Sequence, residues 1–175
     1  MITLDDLRAI CPNVKVGRLS SVVDPLNAAM QEFGIDSPHR EAAFLAQVAH
    51  ESGGFYYVRE LASGEAYEGR ADLGNTQAGD GRRYRGRGFI QITGRANYQA
   101  VSDALGTDFV ADPELLEELD PAARSAAWYW HSRRLNELAD RGDFRAITKR
   151  INGGYNGLAD RTAYWERAKA QFGIQ

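Results

Sequence analysis

With 175 residues the chain has the length of one domain, and 43% hydrophobic with 26% charged residues is a globular balance that excludes wholesale disorder. The formal charge of −3 leaves no chain-wide basic field for nucleic acid or an anionic membrane. The single cysteine, Cys11, excludes an internal disulfide framework, and the scattered His39, His50 and His131 offer no zinc site, so no metal or cofactor is expected. The opening MITLDDLRAICPNV has neither a basic nor an apolar signal region, and no run approaches the ~18 apolar residues of a membrane span. The expectation is a soluble monomer made in a reducing compartment, one domain over residues 1–175.

In chain order, a short helix begins at Thr3, with Asp5 and Asp6 in its first turn, and breaks at Cys11-Pro12-Asn13. A second helix is predicted from about Ser21 to Phe33, stopping at Gly34. Ser37 as N-cap and Pro38 at the first helical position open a third, which runs through REAAFLAQVAHES to Gly53-Gly54. The helical pattern then vanishes from Phe55 to Gly88, a glycine-rich, charged stretch of a length that usually carries function. FIQIT (89–93) alternates as a short strand, Ile90 and Ile92 on one side, Phe89, Gln91 and Thr93 on the other. Beyond Gly94 helices return: ANYQAVSDALG, DPELLEE, a strong one from Pro121 to about Leu138, then Phe144 to Ile151 and roughly Asp160 to Phe172. The reading is mainly α: helical over 1–54 and 94–175, with a loop and short-strand lobe over about 55–93.

Chemistry is sought in that lobe and at the helix ends around it. Glu51 shares a helix face with Phe44, Gln47 and Val48, so an apolar stripe ends in a carboxylate. Burial and the negative end of the helix dipole would both raise its pKa, as a general acid requires; the plainer alternative is an exposed glutamate at a fraying helix end. Glu60, Glu65 and Glu68 follow, and the Gly53-Gly54 turn can bring one of them across a cleft from Glu51. Two carboxyls about 6.5–9.5 Å apart suit an inverting glycosidase, about 5–5.5 Å a retaining one; a solvated acidic loop is the other reading. Gln91 and Thr93 form either a polar ledge for sugar hydroxyls or the wet face of a strand. The arginines of GDGRRYRGRGF (Arg82, Arg83, Arg85, Arg87) resemble an RNA-binding tract, but the tract is short, single and set in an acidic protein. Tyr56, Tyr57, Tyr67 and Tyr84 could stack on sugar rings, and Asn152 in INGG either caps a helix or binds substrate. His50 has no nucleophile partner and reads as structural or cleft-lining.

Taken together, AHESGGF, YRGRGFIQITGRANY, INGG and DRTAYWERAKAQFG resemble, in order and spacing, glycoside hydrolase family 19, which holds chitinases and lysozyme-like phage endolysins. The resemblance covers about Ala42 to Gly173 and implies a lysozyme-like helical fold with a small β element and a long active-site loop. It assigns the general acid to Glu51 and the general base to Glu60, with Glu65 or Glu68 as alternatives. It places Gln91, Thr93, Asn97, Asn152, Arg161 and Tyr84 on the substrate, with Arg87 and His50 in support. Arg161, with an arginine of the YRGRG loop, would hold Glu60 ionised. GFIQITG instead of the chitinase-like Gly-Pro-Ile-Gln-Leu-Ser, and the lack of disulfides, point to the endolysin branch. That branch implies peptidoglycan as partner, inverting hydrolysis for host lysis, and passage from the host cytoplasm to the wall through a holin, without a separate wall-binding domain. The alternatives are a chitinase of the same family and a non-catalytic saccharide-binding relative.

Overall fold

The computed structural model describes residues 1–175. Its α-helices are α1 (Leu4–Ile10), α2 (Val16–Glu32), α3 (Pro38–Glu51), α4 (Asp80–Arg83), α5 (Arg95–Leu105), α6 (Leu119–Ser132), α7 (Leu135–Asp140), α8 (Phe144–Asn152) and α9 (Leu158–Phe172). Tighter 3-10 turns occupy Glu65–Tyr67, Ala71–Leu73 and Pro113–Glu117. The protein is mainly helical, as expected.

Thr3 and Asp6 cap α1 reciprocally: the Asp6 amide donates to Thr3 Oγ1 at 3.2 Å and the Thr3 amide to Asp6 Oδ2 at 2.7 Å. Ser37 caps α3 by accepting from the Arg40 amide, with Pro38 in the first turn. Every residue from Ala42 to Ala49 in α3 is buried, so this helix is the axis of the core, not a one-sided surface helix. It packs along α9, while α2 packs on α6. Phe44 meets Trp130 of α6 edge-on at 5.5 Å, and Phe144 stacks on Trp165 at 4.5 Å. A second, smaller apolar cluster gathers Tyr84, Ile92, Tyr98, Val101, Leu105, Phe109 and Leu116 around α5.

Three expectations need correction. α2 starts at Val16, a turn before Ser21, and runs through Pro25. The helix expected from Pro121 to Leu138 is two: Arg134 takes φ +55°, and Asn136 bonds both Trp130 and the Gly34 carbonyl at the corner. The apolar spacing of Leu135 and Leu138 continues across the break, which hides it from periodicity. FIQIT is not a strand. Gly88 at φ +82° and Gln91 at φ +57° turn the chain back, and Ile92 pairs with Arg87 at 2.7 and 3.1 Å. Phe89, Ile90 and Ile92 are all buried, the first two in the main core and Ile92 in the smaller one, so the alternation reflected two cores, not two faces. What β structure exists is two isolated antiparallel bridges, that of Arg87 with Ile92 and one between Arg59 and Arg87, in which the Glu60 amide donates to Gly86 O and the Gly88 amide to Val58 O.

Candidate active site

Glu51 is the last residue of α3, and the turn after it is held at several points. Ser52 Oγ donates to Val48 O at 2.6 Å and accepts from the Phe55 amide at 2.9 Å. Gly54 has φ +74°, and a Cβ there would come within 2.5 Å of Val14, so only glycine fits. Phe55 itself sits at φ +67°, kept there by burial against Phe89 and by Arg18, whose Nε donates to Phe55 O at 2.7 Å. This rigid corner sends the chain to Glu60.

The Glu51 side chain is 22% exposed and forms an ion pair with Arg161 at 2.6 Å. The apolar seclusion expected from the helix face is thus only partly realised, because a guanidinium shares the site. Arg161, 1% exposed, also donates to Gln47 Oε1 at 2.7 Å and to Asn156 O at 3.1 Å, and Gln47 Nε2 donates to Thr148 Oγ1 at 2.7 Å. A buried polar chain therefore ties α8 and α9 to α3 behind the carboxylate. His50 accompanies it: its Nδ1 lies 2.6 Å from Asp160 Oδ2, and a Cβ on Gly157 would fall 2.3 Å from its ring. His50 docks the start of α9, which puts it in structural support.

Glu60 lies in the loop lobe beyond that corner. Its Oε2 accepts from the Tyr67 hydroxyl at 2.9 Å, while its Oε1 is buried and accepts nothing from the protein. Burial and the bond to Glu60 raise the Tyr67 phenol above its ordinary value, keeping it a donor. The other two loop glutamates are committed elsewhere. Glu68 accepts the Gly79 and Gly81 amides at 2.7 and 2.8 Å, and Glu65 is ion-paired with Arg82. Of the three, Glu60 alone keeps an unclaimed carboxylate oxygen.

Gln91 and Thr93 sit beside Glu60 through Gly86, whose carbonyl takes the Glu60 amide. A Cβ on Gly86 would lie 2.5 Å from Gln91 Oε1 and 3.2 Å from Thr93 Oγ1. Asn97, exposed on α5, donates to Thr93 O at 2.8 Å. Tyr56 and Tyr57 are exposed and wall, with Glu60, Arg59, Arg85 and Glu117, a cavity of about 260 Å³. Asn152 is exposed at the end of α8, its Oδ1 taking the Asn156 amide at 3.3 Å, so it orders the INGG turn.

Of the arginines expected at Glu60, Arg85 lines its cavity but forms no ion pair with it, and Arg161 and Arg87 are engaged elsewhere. Arg161 meets Glu51 because α9 packs on α3, and Arg87, 4% exposed, bonds Glu117, Tyr98 and the Arg83 carbonyl. Tyr84 is also misplaced as a sugar contact: it is 1% exposed, packs on Tyr98 at 5.1 Å and gives its hydroxyl to Val110 O. Gln47 and Glu117 were not foreseen. A lone glutamine inside AAFLAQVA was a visible signal for the first; nothing local marks Glu117, which reaches the site from a distant 3-10 turn.

Glu51 thus ends the core helix α3 on a buried arginine, while Glu60 and the exposed Tyr56 and Tyr57 wall an open cavity in the loop lobe. Residues 29–142 match the family described as chitinase class I, of glycoside hydrolase family 19. A family 19 glycosyl hydrolase domain-containing protein of Haemophilus influenzae is 32% identical over 82% of this chain and 85% of its own length. An endochitinase of Arabidopsis thaliana is 37% identical over 73% of this chain and 45% of its own, so the chain spans about half of that relative. The class IV chitinase of Zea mays superposes with a TM-score of 0.77 at 24% identity, over 99% of this chain and 94% of that one, a likeness of fold. The chain belongs to glycoside hydrolase family 19.

Proposed function

We propose that the protein is a peptidoglycan-cleaving, endolysin-type hydrolase that uses Glu51 as general acid and Glu60 as general base. The observation that carries the pairing is the buried, unclaimed Oε1 of Glu60. That oxygen is closed to solvent in this conformation, so it takes the attacking water as its donor once the loop around Glu60 shifts to admit one. In the reaction Glu60 Oε1 takes a proton from that water while its oxygen bonds the anomeric carbon, and Oε2 stays held by Tyr67. Glu51 gives its proton to the glycosidic oxygen as the bond from the anomeric carbon breaks, and the water enters on the opposite face with inversion. Arg161 grips one oxygen of Glu51 and so orients the other. Gln91, Thr93, Asn97 and Asn152 bind hydroxyl and acetamido groups, and Tyr56 and Tyr57 offer rings to the sugars.

Peptidoglycan is preferred to chitin because GFIQITG resembles the lysin branch and because a chain with one cysteine cannot carry the disulfides of plant chitinases. Such an enzyme acts in the wall of a bacterial host, reached from the cytoplasm by holin-type release, as one catalytic domain and as a monomer. Cleavage of chitin is the second reading, favoured by relatives named as endochitinases. The test is turbidity loss of outer-membrane-permeabilised Gram-negative cells beside sugar release from colloidal chitin. Lysis by the wild type that falls about 10²–10⁴-fold in Glu51→Gln and in Glu60→Gln, with chitin untouched, is expected. Chitin cleavage without lysis would overturn the peptidoglycan reading, and substantial activity in either variant would remove that carboxylate from its role.

A further inference from the structure

Arg85 stands between two cavities. On one side is the cavity of about 260 Å³ that holds Glu60; on the other is a larger one, about 620 Å³, walled by Arg82, Arg83, Arg87, Asp112 and Glu114. The larger cavity is polar, and its charges divide cleanly. Arg82 is paired with Glu65, and Arg87 with Glu117, which Arg59 also meets at 3.6 Å. Arg83 is not: its guanidinium donates to the neutral carbonyls of Val110 and Ala111 at 3.1 and 2.7 Å. Arg85 is not either, and its Nε is buried without any acceptor. Neither Asp112 nor Glu114 has an ion-pair partner. Two guanidiniums and two carboxylates without an ion-pair partner therefore share one cavity, walled in part by an arginine that also lines the Glu60 cavity.

From this we infer that the larger cavity is a subsite for a zwitterionic peptide, namely the peptide arm that hangs from the glycan of peptidoglycan. The inference rests on the peptidoglycan reading above. That arm carries free carboxylates and, at a diamino acid, a free ammonium, which pair with Arg83 and Arg85 and with Asp112 and Glu114 in turn. Arg85 lines the cavity with no carboxylate of the protein paired to it, and a peptide carboxylate supplies one. Four extended residues span about 13 Å, and the two cavities share Arg85 as a wall. Fully acetylated chitin has no charged group to place there and chitosan has ammonium groups only, so the cavity selects for the branched, charged polymer.

The experiment compares wild type with Arg85→Gln and Asp112→Asn on purified sacculi and on the same sacculi stripped of peptide by an amidase. The expected result is that the ratio of kcat/KM on intact to stripped glycan falls about tenfold or more in each variant, the effect of losing one charge-assisted hydrogen bond. Calorimetry with soluble muramyl tetrapeptide reads the site directly, and affinity should fall likewise in both variants. An unchanged ratio, or equal losses on both glycans, overturns the subsite. A wild type that cleaves stripped glycan but not intact sacculi also overturns it. A wild type that cleaves chitin and neither form of murein overturns the peptidoglycan reading itself, and this inference with it.

Discussion

Arg161→Met is the most informative single perturbation, because one buried guanidinium joins the fold to the acid. The substitution keeps an apolar stem of similar length but removes the bond to Gln47 Oε1, the ion pair to Glu51 and the bond to Asn156 O. Gln47 is fully buried, so its stranded oxygen costs about 1–3 kcal/mol. Glu51 is 22% exposed, so water screens its loss and about 1 kcal/mol is a fair share. The sum, about 2–4 kcal/mol, corresponds to a fall in Tm of about 4–16 °C for a chain of this size. Scanning calorimetry with urea denaturation measures it. In a Glu51→Gln background the same substitution should cost about 1 kcal/mol less, since no carboxylate is then left uncompensated. Activity should fall about 10²-fold through kcat, because Glu51 loses its fixed orientation. A stability change within about 0.5 kcal/mol, the range of an inert surface substitution, would refute the reasoning.

Two further tests address the loop lobe. Asp80 is 1% exposed, and its bonds from Arg95 hold its carboxyl below the ordinary value of 3.8. A depressed folded pKa contributes stability above the unfolded value and loses it as pH falls through the folded one. Asp80→Asn should therefore lower stability by about 1–3 kcal/mol at neutral pH, with the wild-type and variant melting curves converging below pH 3.8. A gap that persists unchanged well below pH 3.8 would show that charge is not the cause. Gly86→Ala pushes the flexible end of Gln91 aside from a 2.5 Å approach, so kcat/KM should fall about 10²-fold while Tm moves by less than about 2 °C. Full activity in that variant would free Gln91 of any part in the cleft.

The fold was most legible where chemistry is local. Thr3, Ser37 and Pro38 mark their helix starts by capping geometry that needs only neighbouring residues. The uninterrupted burial of Ala42–Ala49 likewise follows from a run with almost no polar residue to expose. Legibility failed where a tertiary partner decides. Gln91 can hold a left-handed backbone only because Ile92 pairs back to Arg87, and Arg134 breaks a helix whose apolar spacing never falters.

The site divides the same way, and the division shows what builds it. Glu51 and Glu60 could be nominated because each belongs to a recognisable stretch, nine residues apart in one chain segment. Their surroundings could not, because each carboxylate is served from outside its own stretch: Glu51 by Arg161 through the packing of α9, and Glu60 by a turn at Tyr67 whose carbonyl is held by Asn75. Asn75 accepts the Arg95 amide and Asp80 takes the Arg95 guanidinium, so the start of α5 clamps the lobe that carries the base. The acid is thus built into the helical core and the base into a loop secured by side-chain bonds. Substitutions that loosen the loop should harm the water-activating step before they harm the fold, whereas those behind Glu51 should harm both together.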